Sequence, residues 1–176
     1  SQRLLALNGG NDATYMEYGF SVGDDLAFGS YNTNFRITSQ VFRDPAAWYH
    51  IVLAFDTTQA VAANRVKLYV NGVQVTAFST SNDPTLNTDY AMNYNGQTNI
   101  GFNFGSAYAD WYLSELNFID GQQLTPNSFG TFNSYGVWQP ITYGGSYGTN
   151  GFYLPFTNKT STTTLGYDFS PAGNNW

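Results

Sequence analysis

Residues 65–75 read RVKLYVNGVQV, and this stretch decides the fold class. Val66, Leu68 and Val70 alternate with polar or aromatic residues, which is the period of a strand with one buried and one exposed face. The pair Asn71-Gly72 accepts the positive φ angles that a type I′ turn requires at both central positions. The stretch therefore predicts a β-hairpin that turns at Asn71-Gly72.

The same kind of pattern recurs along the chain, where short Val, Ile, Tyr and Phe runs are bounded by Gly, Asn, Asp and Ser. Helical periodicity is almost absent, apart from residues 125–130, which can form a single helical turn that starts at Pro126. This pattern predicts an all-β protein. Strands are expected at about residues 3–7, 14–20, 26–30, 35–39, 48–55, 66–70, 73–78, 98–102, 111–119 and 152–156.

Two tryptophans lie within predicted strands. The run 48–55 is apolar on both alternating sets, which is typical of a central strand that is covered on both sides. We therefore expect Trp48 and Trp111 to lie in the core.

Composition excludes several classes of function. Charged residues make up 10% of the chain, aromatic residues make up 18%, and the net charge is −6 with only six Lys and Arg. Phosphate binding needs clustered positive charge, so a nucleic-acid partner is not expected. No apolar run is long enough for a membrane helix, so membrane insertion is not expected. The chain has no cysteine, which excludes disulfides and thiolate metal sites.

The chain begins without methionine and enters a strand-like run at once, so we expect it to be part of a longer protein. Composition shifts near Thr131 toward Gly, Tyr, Asn, Ser and Thr. The predicted division is a sandwich over residues 1–130 and an extension over residues 131–176. The extension is expected to pack on the sandwich or on a neighbouring subunit, and the alternation of Phe152, Leu154 and Phe156 favours the packed arrangement.

Catalytic chemistry has few candidate residues. A glycosidase needs two nearby carboxylic acids, and the only glutamates are Glu17 and Glu115. Glu115 lies near Asp110 and Asp120 without a closely spaced acidic trio. His50 is the only histidine, so a structural role is favoured over a catalytic one. No enzymatic activity and no cofactor are therefore expected.

Binding chemistry is better represented. Calcium needs only oxygen ligands, and Asp24 and Asp25 are candidates for it, although turn formation is the favoured role of these residues. Exposed tyrosines with neighbouring amides suit a sugar ligand or a protein interface. The candidate ligand-binding residues are Tyr90, Asn93, Tyr94, Asn95 and Gln97, with a second group at Tyr31 and Asn32. The sequence does not separate glycan binding from a protein interface or from ordinary packing.

Residues 47–56, AWYHIVLAFD, followed by VKLYVNG at 66–72, resemble the laminin-G-like and pentraxin-like branch of the concanavalin A-like lectin/glucanase superfamily. Residues 113–122, LSELNFIDGQ, and 147–154, YGTNGFYL, are similar to such modules in bacteriophage and marine-virus structural proteins. The resemblance implies a two-sheet antiparallel jelly-roll sandwich, from which a strand that normally precedes Leu4 is missing.

The resemblance also implies a place on the virion surface, in a tail fibre, a head fibre or a capsid decoration. The leading hypothesis is a non-enzymatic module that binds a host glycan or other virion proteins, as a homo-oligomer for which a trimer is one arrangement. One alternative is a secreted or cell-surface lectin, and another is a polysaccharide hydrolase of the same fold.

Overall fold

The computed structural model describes residues 2–8, 15–92, 96–103 and 107–175. The protein is predominantly β with antiparallel sheets, as predicted. The chain divides into two compact units. The first unit comprises Ser1–Asp110 and Leu124–Thr142, and the second comprises Trp111–Gln123 and Tyr143–Trp176. The predicted division between residues 130 and 131 stays a prediction.

A six-stranded antiparallel sheet dominates the first unit, in the order β8-β4-β3-β2-β1-β9. Its strands are β1 (Gln2–Leu7), β2 (Met16–Phe20), β3 (Asp25–Ser30), β4 (Thr33–Val41), β8 (Phe78–Ser81) and β9 (Thr98–Ile100). A three-stranded sheet contains β5 (Ile51–Phe55), β6 (Val66–Val70) and β7 (Val73–Gln74). Two short ribbons complete the unit, one of β10 (Phe102–Asn103) with β11 (Ala107–Tyr108), the other of β13 (Gly130–Phe132) with β14 (Trp138–Pro140).

The hairpin between β6 and β7 confirms the prediction made from residues 65–75. Asn71 and Gly72 have φ angles of 49° and 80°, as a type I′ turn requires. The Asn71 side-chain oxygen also accepts a hydrogen bond of 2.8 Å from the His50 backbone N–H. The turn residue therefore helps to attach the start of β5 to the hairpin.

One apolar cluster joins the two larger sheets of the first unit. Its buried members include Met16 of β2, Phe28 of β3, Phe35 of β4 and Val66 of β6. Phe55 of β5 packs against them, with its ring centroid 5.4 Å from that of Phe28. Because side chains from both sheets fill this cluster, the unit is a two-sheet sandwich.

Three strand predictions needed correction. Trp48 was expected in the core but is 68% exposed, because β5 begins only at Ile51. Among the described residues β5 pairs with β6 alone, so it is not a central strand here. The predicted strand 73–78 is two strands that belong to different sheets, β7 and β8.

The third strand prediction that the structure contradicts lies in the second unit. The predicted strand 111–119 is reduced to β12 (Leu116–Phe118), which begins directly after Glu115, a residue with a left-handed φ of 58°. β12 pairs with β15 (Phe152–Leu154), and the rings of Phe118 and Phe152 stack at 5.3 Å. β15 ends at Leu154, and two residues later Phe156 takes a φ of 56°. The C-terminal segment thus packs on residues 111–123.

The described residues form three short helical elements, of which the first is a 3₁₀ helix at Ala62–Asn64. The predicted helical turn is confirmed as a 3₁₀ helix at Pro126–Ser128, and α1 (Thr162–Leu165) is capped by Ser161. The Asp168 carboxylate accepts bonds from the backbone N–H groups of Tyr153, Ser170 and Asn174, each at 2.7 Å. This carboxylate therefore ties the C-terminal loop to β15. In the described part of the chain, no helix has the length and apolar character that crossing a membrane requires.

Candidate ligand-binding surface

The turn between β3 and β4 presents the predicted residues Tyr31 and Asn32 at the surface. Tyr31 is 54% exposed, and the next residues, Asn32 to Asn34, are exposed as well. The Tyr31 ring meets the Tyr15 ring at 6.3 Å with an interplanar angle of 86°. This edge contact supports the Tyr31 ring while leaving more than half of the residue accessible. We call Tyr15, Tyr31, Asn32 and Asn34 the Tyr31 patch.

A polar network next to the Tyr31 patch begins at Tyr15. The Tyr15 hydroxyl donates to Glu17 Oε2 at 3.0 Å, and Arg3 Nη2 forms an ion pair with Glu17 Oε1 at 2.5 Å. Burial, together with the Glu17 charge and hydrogen bond, raises the pKa of Tyr15 well above its usual value. Tyr15 therefore stays a neutral donor at physiological pH, and the carboxylate of Glu17 is already paired. The Tyr31 patch therefore offers a ligand stacking and hydrogen bonding rather than an unpaired charge.

The other predicted group is only partly described. Tyr90 is half-buried, and its ring packs edge-on against Phe35 and Phe55 at 5.3 and 5.8 Å. Its ring thus contributes to the core of the sandwich. Gln97 is exposed and donates to Asn99 Oδ1 at 3.1 Å. Asn93, Tyr94 and Asn95 lie outside the described residues, so ligand binding by this group stays a prediction.

The calcium candidates lie at the turn between β2 and β3. The Asp24 carboxylate accepts a bond of 2.9 Å from Arg43 Nε, and its backbone has a φ of 64°. The buried Oδ1 of Asp25 accepts no bond from any described residue. Within residues 2–8, 15–92, 96–103 and 107–175, no three His, Cys, Asp or Glu side chains group as metal ligands. Calcium binding at Asp24 and Asp25 therefore stays a prediction.

The candidate catalytic carboxylates occupy different units. Glu17, in the first unit, is bonded to a guanidinium and a phenol. Glu115, in the second unit, is exposed and accepts a hydrogen bond from the Tyr153 hydroxyl. Among the described residues, neither Glu17 nor Glu115 is bonded to a second carboxylic acid of the kind that a glycosidase uses.

His50 is placed against an aromatic ring. Its imidazole lies 5.7 Å from the Trp138 ring, and its buried Nδ1 has no hydrogen-bond partner among the described residues. Burial lowers the pKa of His50, so the imidazole is neutral at pH 7. This arrangement supports the structural role that was favoured for it.

Two aromatic arrangements were not predicted from the sequence. In the first unit, the Trp138 ring lies directly against Gly72 and Gly130, and a Cβ at either glycine would come within 2.3 Å of it. In the sequence, glycine at positions 72 and 130 indicates that a large side chain can approach there. It does not indicate which side chain, because the contact with Trp138 is known only from the structure.

The second arrangement is a tyrosine cluster in the second unit. Tyr147 is buried, packs against Tyr143 at 5.1 Å and against Tyr153 at 6.4 Å, and donates to Asn117 Oδ1 at 2.8 Å. Burial, which has the largest effect, and nearby negative charge together raise the pKa of Tyr147 to about 12. Tyr147 is therefore one of the buried residues of the second unit, together with Phe152 and Leu154.

Comparison with known proteins agrees with the fold. No curated protein and no solved structure matches the chain. A laminin G family model, described as the concanavalin A-like lectin/glucanases superfamily, matches residues 1–128. Domains of this kind are typically non-catalytic binding modules, and the fold is compatible with carbohydrate binding. The chain therefore belongs to the laminin G family of the concanavalin A-like lectin/glucanases superfamily.

Proposed function

We propose that this protein is a non-catalytic module that binds a neutral glycan at the Tyr31 patch. The observation that carries the proposal is the half-exposed Tyr31 ring, supported by Tyr15 and flanked by the exposed amides of Asn32 and Asn34. An aromatic ring can cover the apolar C–H face of a sugar, while amides exchange hydrogen bonds with its hydroxyls. The pairing of Glu17 with Arg3 favours an uncharged ligand.

The setting of this activity is also a proposal. We propose a place on the virion surface, in a fibre or a capsid decoration, on the basis of the resemblance inferred from the sequence of residues 113–122 and 147–154. There the module attaches the particle to a host glycan. Proteomic and immunogold analysis of purified particles tests this setting, and detection of the protein only on cells or in secretions would favour the cellular lectin instead.

The binding proposal is tested with a glycan array, followed by NMR titration of the best glycan. Tyr31→Ala should weaken binding about five- to thirtyfold, because a stacked aromatic ring contributes about 1–2 kcal/mol. Asn32→Ala should weaken it less. Tyr112→Ala removes another well-exposed tyrosine and is the matched control, which should bind as the unmodified protein does. Equal binding by Tyr31→Ala and Tyr112→Ala would refute the assignment.

The hydrolase alternative has its own readout. The glycans that bind are incubated with the protein, and products are separated by chromatography. No cleavage is expected. Cleavage that disappears in Glu115→Gln would replace the binding-only function with a hydrolase that uses the exposed carboxylate.

A further inference from the structure

The loop between β15 and α1 contains a motif that glycan binding at the Tyr31 patch does not use. Residues 158–160 read Asn-Lys-Thr, and this is the only Asn-x-Ser/Thr triplet of the chain. Its middle residue is lysine rather than proline, as an acceptor for N-linked glycosylation requires. A glycan attached to such a triplet is bulky and needs a position at the protein surface.

The triplet has that position. β15 ends at Leu154 and α1 begins at Thr162, so the residues between them belong to neither element. Lys159 and Thr160 are exposed, and Asn158 is half-buried. A sugar chain can therefore extend from this loop without displacing a strand or a helix.

The hydrogen bonds of the triplet orient the Asn158 side chain. Thr160 Oγ1 donates to Asn158 Oδ1 at 2.8 Å, and the Thr160 backbone N–H donates to the same oxygen at 3.3 Å. Because the amide group is planar, bonds on its oxygen side turn Nδ2 away from Thr160. Nδ2 is not enclosed and donates no hydrogen bond to any residue that the structure describes. The nitrogen that accepts a sugar is thus accessible.

The surface beside Asn158 suits a first sugar residue. An open depression next to it is lined by Lys159, Ser161, Thr162 and Leu165. Leu165 is 39% exposed, and a sugar with an N-acetyl group can cover this apolar side chain with its methyl group. The ammonium and hydroxyl groups of the other three residues can bond to sugar oxygens.

We propose that Asn158 is a site of N-linked glycosylation in protein made in a eukaryotic secretory pathway. The donor is an oligosaccharide carried on a polyprenyl pyrophosphate. Asn158 Nδ2 forms a bond to the anomeric carbon of the sugar and gives up one proton. The bond between that carbon and the pyrophosphate oxygen breaks, and the lipid pyrophosphate leaves with the bonding electrons. The proposal does not rest on glycan binding at the Tyr31 patch, and it applies equally to a secreted lectin and to a virion protein made in a eukaryotic cell.

Secretion of the whole chain from a eukaryotic cell line tests the proposal. Most of the secreted protein should carry extra mass that peptide-N-glycosidase F removes, and tandem mass spectrometry should locate the aspartate left by that enzyme at position 158. Asn158→Gln and Thr160→Ala should each abolish the extra mass, because they remove the acceptor nitrogen and the hydroxyl. Thr163→Ala is the matched control: it removes another exposed threonine hydroxyl of the same segment and should keep the glycan.

Thr160→Ser provides a further variant, because it keeps a hydroxyl in the triplet and should retain the glycan. Circular dichroism verifies that each secreted variant is folded. An unmodified protein without a removable glycan would overturn the proposal. Retention of the glycan in Thr160→Ala would overturn it too, since attachment at a different residue would then explain the mass. Loss of the glycan in Thr160→Ser would contradict the role given to the hydroxyl.

Discussion

Arg36 connects the two sheets of the first unit, and its removal should be among the most damaging single substitutions. The residue is only 3% exposed. Its guanidinium donates to the carbonyl oxygens of Phe35 and Asn82, to Val66 O at 3.4 Å, and to Asp83 Oδ1 at 2.7 Å. Because Arg36 lies on β4 and Val66 on β6, the bond to Val66 O joins the six-stranded sheet to the three-stranded sheet, while the bonds to Asn82 and Asp83 hold the segment that follows β8.

The magnitude follows from the groups that are left behind. Arg36→Met fills much of the same volume but leaves the carbonyl oxygens of Asn82 and Val66 without this donor, whereas Phe35 O keeps its bond from the Asn82 backbone N–H. A buried group without a partner costs about 1–3 kcal/mol. These two carbonyls will in part recover a partner by small shifts, so we expect a loss of about 2–4 kcal/mol in the free energy of unfolding. The Asp83 side chain is about a third exposed and can be rehydrated. Asp83→Asn should therefore cost at most about 1 kcal/mol.

Urea unfolding, followed by tryptophan fluorescence and by circular dichroism, measures these differences. Coincident transitions from the two probes are needed before a single free energy is assigned, since the chain has two units. Arg36→Lys should fall between the two variants, because an ammonium keeps the charge without the planar fork of donors. A loss below about 1 kcal/mol for Arg36→Met would refute the assignment of the buried carbonyls as the main contribution.

The other predictions concern a turn and two titrating groups. Gly72→Ala should destabilise the protein by about 2 kcal/mol or more in thermal unfolding, through its clash with the Trp138 ring; Gly136→Ala, which has a similar positive φ and open space, measures the backbone cost alone. Since burial lowers the folded pKa of His50, the unfolded state binds more protons below about pH 6.5. Stability should thus fall as the pH drops from 6.5 toward 5, and less so in His50→Gln. Burial opposes ionisation of Asp168, yet its hydrogen bonds hold its pKa below the usual value; the stability that it contributes should be lost as the pH falls through that lowered pKa, and Asp168→Asn should lack this acid-dependent loss.

Local rules explain which parts of the fold were predictable. The hairpin at Asn71-Gly72 needs two adjacent residues that tolerate positive φ, and alternation in β6 defines its buried face. The turn at Pro126 is equally local. The same rules were wrong at Trp48, because an apolar run shows that a strand is near without showing where it begins. They were also wrong before Leu116, because nothing in the local sequence indicates that Glu115 has a left-handed backbone.

Long-range contacts explain why the binding surface was harder to predict. Tyr31 and Tyr90 both have asparagines within three residues in the sequence, yet Tyr31 is exposed at a turn while Tyr90 packs on Phe35 and Phe55. The difference arises from which segments meet in space, and composition does not contain it. For the same reason the contact between Trp138 and Gly72, across distant parts of the chain, could not be predicted.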